Sequence, residues 1–84
     1  MFELIFDKKA GEELEKLPQE IRERIFNKLI QAKQDPLHFF VRLESRPEYK
    51  LRVGDYRVIV GINPKYKKIV VVKIGHRKNI YEKQ

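Results

Sequence analysis

Two alternating runs, residues 49–53 and 56–62, meet at Gly54-Asp55, a two-residue loop with glycine first. A loop of that length and composition closes a type II′ hairpin and leaves one register open to the flanking strands. Val53 then faces Tyr56, Arg52 faces Arg57, and Leu51 faces Val58. Leu51, Val53, Tyr56, Val58 and Val60 share one face, which has to pack on the rest of the domain, while Lys50, Arg52 and Arg57 share the other. A second turn at Asn63-Pro64-Lys65 leads to a third strand over residues 68–77. Its run Ile69-Val70-Val71-Val72 is apolar on both faces, as in a central strand. Placing Val70, Val72 and Ile74 toward the core sends Lys73, Gly75 and Arg77 to the face bearing Arg57. Ile59 and Val71 fall on that same face, which implies that something apolar docks there as well.

Upstream, Phe2, Leu4 and Phe6 alternate with Glu3 and Ile5, predicting a short first strand. Asp7 suits a helix N-cap, and Ala10, Leu14 and Leu17 recur at helical spacing behind it. Pro18 fits the first turn of a second helix, whose dipole Glu20 and Glu23 complement. Ile21, Ile25 and Leu29 form an i, i+4, i+8 row that Phe26 and Ile30 widen into a core-facing stripe. Asp35-Pro36 stops that helix. Residues 37–48 show no period, yet Phe39, Phe40, Val41 and Leu43 call for burial. The order β-α-α-β-β-β describes a single small α+β domain spanning 1–84, an antiparallel sheet packed on a helical hairpin.

At 84 residues the chain is near the lower limit for a self-sufficient core. It has no cysteine, which removes disulfides, thiolate metal sites and a cysteine nucleophile. No apolar run approaches the roughly 18 residues of a membrane span, and the acidic start does not read as a signal peptide, so no membrane partner and a cytoplasmic setting are expected. The charge is unevenly spread. Residues 49–84 carry ten Lys/Arg against two acids, Asp55 and Glu82, whereas residues 1–48 carry nine against ten. A balanced scaffold thus bears a cationic hairpin region, the pattern of a surface for polyanions.

Like charges directly opposite one another on a sheet are destabilising by up to about 1 kcal/mol per pair. Arg52 opposite Arg57, with Lys73 and Arg77 nearby, therefore suggests an anion that offsets the repulsion. The guanidinium fork matches a phosphate bidentately. A metal-dependent nuclease would need clustered carboxylates, and Asp55 is the only acid between Tyr49 and Tyr81. Neither a metal nor another cofactor is expected.

The run Tyr-Lys-Leu-Arg-Val-Gly-Asp-Tyr-Arg-Val-Ile at 49–59, followed by Lys-Ile-Gly-His-Arg-Lys-Asn-Ile-Tyr at 73–81, resembles the RelE/ParE superfamily of toxin–antitoxin systems. It is most similar to the RelE-type messenger-RNA endonucleases, and the likeness extends over the whole chain. The resemblance implies a small basic toxin that enters the ribosomal A site and cleaves messenger RNA by attack of a ribose 2′-OH on the adjacent phosphate. It also implies a cognate RelB-like acidic antitoxin as partner. Arg57 matches the phosphate-stabilising arginine, Arg77 its partner on the last strand, Tyr81 the tail tyrosine that acts on the attacking hydroxyl or stacks on a base, and Lys50 one of two lysines. Arg52, Lys73, Lys78 and His76 complete the RNA-binding set. The sequence departs from the founding bacterial member at Glu48, where a second lysine stands, and the stretch from Arg77 to Tyr81 is two residues shorter. Glu48 or His76 then becomes the candidate acid or base.

Each of these residues also has a plainer reading. Strand alternation turns His76 away from Arg77, as in a structural strand-end histidine. Tyr81 would serve equally to anchor a tail, and Glu48 would serve as a surface carboxylate. His38, beside Phe39, has no evident partners. Two other functions fit the same cations: a ParE-like toxin that acts on DNA gyrase by binding, and a catalytically silent RNA- or ribosome-binding module.

Overall fold

The hairpin that orders the sequence also organises the fold. The computed structural model describes residues 1–78. The elements run β1 (Glu3–Phe6), α1 (Lys8–Glu15), α2 (Gln19–Ala32), α3 (Pro36–Phe39), β2 (Val41–Arg42), β3 (Tyr49–Val53), β4 (Tyr56–Asn63) and β5 (Lys68–His76). The strands form one sheet in the order β1-β5-β4-β3-β2. Val53 pairs with Tyr56, Arg52 with Arg57 and Leu51 with Val58, the register that the two-residue loop dictates. Gly54 has φ of 60°, and Asp55 is not among the positive-φ residues, which matches a type II′ turn.

The sheet is antiparallel except at one edge. There β1 lies parallel to β5, with Leu4 beside Ile69 and Phe6 beside Val71. Both edges of β4 are already taken by β3 and β5, so the outer edge of β5 is where the apolar β1 can add. That parallel pair is a feature the alternation pattern does not reveal. The short α3 and the two-residue β2 likewise occupy the stretch without periodicity.

α1 and α2 cover one face of the sheet. Ala10 and Leu14 from α1, and Ile25, Leu29 and Ala32 from α2, meet Leu51, Val53, Val58, Val60, Ile69, Val71 and Ile74 in the core. Asp7 stands at the N-cap of α1, where its carbonyl accepts from Gly11 N–H at 2.9 Å. Pro18 takes the N-cap of α2, one position before the first turn. Within the expected stripe Phe26 stays exposed, its ring stacked 6.4 Å from that of Phe6. α2 ends at Ala32, before Asp35, because Asp35 and Pro36 start α3 instead. Phe40 is buried, whereas Val41 is 59% exposed on the edge strand, contrary to the burial expected of it.

One face assignment is corrected. Between Ile59, opposite Lys73, and Val60, opposite Val71, the register shifts and leaves Val72 with no cross-strand partner. This irregularity reverses the alternation along β5. Ile69 and Val71 are fully buried in the core, and Val70 and Val72 are only half-buried, the reverse of the expected placement. Val71 therefore does not share a face with Ile59, and Ile59 itself is only 7% exposed. The pair does not form an exposed apolar patch.

Candidate functional site

The face of the sheet turned away from α1 and α2 is built as two cross-strand rows. In one, Arg52 on β3 pairs with Arg57 on β4, and Arg57 pairs with Gly75 on β5. In the next, Lys50 pairs with Ile59, and Ile59 with Lys73. Directly opposed residues on a sheet bring their Cβ atoms to about 4.5–5.5 Å, so Lys50 and Lys73 flank Ile59, with Arg52 and Arg57 in the adjacent row. Gly75 places no side chain opposite Arg57. Because β4 is flanked on both sides, its outward residues lie lowest, and Arg57 is only 8% exposed. Charged groups are rarely taken this far from water, since an ionised side chain loses its hydration there.

The cations around this centre differ in what holds them. Arg52 is exposed, and its Nε donates to the Gly54 carbonyl at 3.3 Å, which draws the side chain along the hairpin turn. Lys73 Nζ lies 4.0 Å from Glu13 Oε2. The other oxygen of Glu13 accepts from Ile74 N–H at 2.8 Å. β1 has ended by that point, since its pairing stops at Phe6 beside Val71. Glu13 thus satisfies the edge of β5 beyond the end of β1, and lies beside Lys73 as it does so. Arg77 N–H donates to the Asp55 carbonyl at 2.9 Å, joining the end of β5 to the hairpin tip. Arg77 and Lys78 are both exposed.

The two candidate proton-transfer groups are placed differently. His76 pairs with Tyr56, a residue packed against the core, so its alternation leads away from Arg57. The two rings meet edge-on with centroids 5.5 Å apart, and His76 Nδ1 accepts from Lys78 N–H at 3.3 Å. Glu48 immediately precedes β3, in alternation with Lys50 and Arg52. Its carboxylate receives Arg46 Nε at 3.2 Å. Tyr81 lies outside the described residues. Sequence reasoning missed Glu13 and Arg46. Glu13 acts on a backbone group far along the chain, which no local pattern signals, while Arg46 two residues before Glu48 was a visible pairing.

Chemically, the rows set two arginines and two lysines on one face of the sheet, with Ile59 between the lysines. Such a surface suits a flexible chain of phosphates. It would also favour a reaction in which a phosphate gains negative charge, because fixed cations stabilise that charge without reorganising.

A family model described as the ParE toxin of the type II toxin–antitoxin system parDE matches residues 4–81. Solved structures share the fold. The RelBE2 toxin–antitoxin complex of Mycobacterium tuberculosis matches with a TM-score of 0.83 at 23% identity, covering 90% of this chain and 91% of that one. The intact RelBE complex of E. coli gives 0.80 at 25% identity, with 90% and 96% covered. The archaeal RelE–RelB complex of Pyrococcus horikoshii gives 0.78 at 28% identity, with 90% and 94% covered. No curated protein matches the sequence.

Proposed function

The chain belongs to the ParE toxin family of type II toxin–antitoxin systems, within the RelE/ParE superfamily, and we propose that this toxin is a metal-independent endoribonuclease that cuts messenger RNA in the ribosomal A site. The observation that carries this reading is the row Arg52–Arg57–Gly75 beside the row Lys50–Ile59–Lys73, which gathers phosphate-binding groups from three strands. Attack of a ribose 2′-OH on the neighbouring phosphate produces a phosphorane-like transition state with added negative charge. The guanidiniums of Arg57 and Arg77 stabilise that charge, and Lys50 holds the flanking phosphate. Arg52, Lys73 and Lys78 steer the RNA. Of the two proton-transfer candidates, Glu48 is favoured, because it alternates onto the side of Lys50 while His76 leads away. The reaction leaves a 2′,3′-cyclic phosphate and a 5′-OH. Tyr81 retains the role implied by the family resemblance, on the attacking hydroxyl or stacked on a base.

The resting state of this toxin is a complex with an acidic RelB-like antitoxin, as relatives of the same fold were solved paired with RelB. Translating ribosomes incubated with the purified protein should yield messages cut at A-site codons. Arg57→Ala and Arg77→Ala should each lower cutting by about 10²–10³-fold, the usual cost of removing one charge-stabilising donor. Circular dichroism should show both variants folded. Cutting that survives both changes would place the site elsewhere. The matching family model is that of a ParE toxin, and one second reading is a ParE-like toxin that acts on DNA gyrase by binding. Intact messages together with stalled supercoiling would establish that reading instead.

A further inference from the structure

At the opposite end of the β4–β5 hairpin from Arg57 lies a second cationic feature that the cleavage site does not use. The strands close at Asn63 opposite Lys68, about 20 Å along β4 from Arg57 at 3.4 Å per residue. The loop between them carries Lys65, Tyr66 and Lys67, and Lys68 follows at once. Tyr66 is 63% exposed, an unusual placement for a ring of that size. Lys65 Nζ stands 5.5 Å from the centre of its ring.

The loop is also held in place. Tyr66 N–H donates to Asn63 Oδ1 at 3.2 Å, and the Lys67 carbonyl accepts from Glu3 N–H at 2.8 Å. Lys67 adopts φ of 54°, a left-handed conformation that glycine or asparagine fills at far less cost than lysine. The fold thus keeps a cation where local geometry calls for another residue type. An acid, Glu3, pairs in register with Lys68.

An exposed aromatic ring with one lysine ammonium over it, on a held turn that carries further lysines, is the arrangement by which proteins stack a nucleobase on the open face and hold its phosphates. We propose that the turn formed by Lys65, Tyr66, Lys67 and Lys68 is a second RNA contact, which stacks one unpaired base on Tyr66 and takes adjacent phosphates on the lysines. An acidic protein segment would use the lysines but gain little from the exposed ring, so RNA is the occupant the ring favours. The choice of RNA rests on the nucleic-acid reading of the toxin, but the contact does not depend on cleavage.

The test uses a fluorescent single-stranded oligonucleotide with 2′-O-methyl groups throughout, which cannot be cut by 2′-OH attack, and reads its anisotropy on the full chain. Tyr66→Ala should weaken binding by about 5–100-fold and Tyr66→Phe should restore most of it, as loss of one stacked base requires. Changing Lys65, Lys67 and Lys68 to Gln together should reduce the slope of log K against log salt by about 2, at about 0.7 per phosphate contact. All three proteins should melt within a few degrees of the parent, because the changed side chains are exposed. Unchanged affinity and slope would overturn the proposal. So would a loss confined to poly-glutamate, with RNA binding intact. If these effects appear but the protein cuts no message, the cleavage reading fails and this contact stands.

Discussion

Glu13 shows how much one side chain can settle in a domain of this size. Its two oxygens serve different partners, the Ile74 N–H at 2.8 Å and Lys73 Nζ at 4.0 Å. Glu13→Ala should therefore cost about 1–3 kcal/mol, the penalty for leaving a part-buried donor unmet, whereas Glu13→Gln should keep most of that stability because the amide oxygen still accepts. Urea denaturation of the two variants separates them, and equal losses would show that the backbone bond contributes little. Glu48 is tested through chemistry. Glu48→Gln should reduce message cutting by about 10²–10⁴-fold with little change in RNA affinity, as removal of a proton-transfer group does. Cutting at the parental rate would return the base role to another group. At this scale the sequence was partly legible. Arg52 and Arg57 could be opposed from loop length alone, and His76 could be turned away from Arg57 by counting along the strand. Glu13 could not be found, because its partner is a backbone N–H that only the folded sheet leaves open.

Among the elements, the β3–β4 hairpin was the most legible and β5 the least. A two-residue loop fixes one register, and every residue from Tyr49 to Val60 follows it. In β5 the run of four β-branched residues is apolar at every position, so its pattern cannot reveal where the register shifts opposite Ile59 and Val60. The unpaired Val72 moves Ile69 and Val71 into the core while leaving Lys73 opposite Ile59, so a core-filling strand and a cationic strand coexist in one element. The hairpin makes its own demand at Gly54. A Cβ there would approach Arg24 Nη1 at 3.6 Å, an ordinary contact, so φ of 60° is the obstacle. Gly54→Ala should cost about 1–2 kcal/mol by equilibrium denaturation. A much larger loss would point to a clash instead.

For the whole molecule the margin is narrow. A domain of this length is stabilised by roughly 4–12 kcal/mol, at about 0.05–0.15 kcal/mol per residue. Leu29 is fully buried between α2 and the sheet, so Leu29→Ala should cost about 2–5 kcal/mol and take up much of that margin. Thermal unfolding would show it as a large fall in Tm, and a shift of only a degree or two would mean that the core collapses readily around the gap. The charge asymmetry visible in the sequence became a geometric one, with cations on the outer face of the sheet and at the far turn of β4–β5. What the sequence did not disclose was closure. Glu3 pairs with Lys68, so the first strand finds its neighbour only when the last strand has formed. On a translating ribosome β1 would wait several seconds for that partner, at about 5–20 residues per second. Until then the core lacks Ile69, Val71 and Ile74, and the cationic face lacks Lys73 and Arg77. The emerging chain thus has neither a complete core nor a complete cationic face until its final strand is made.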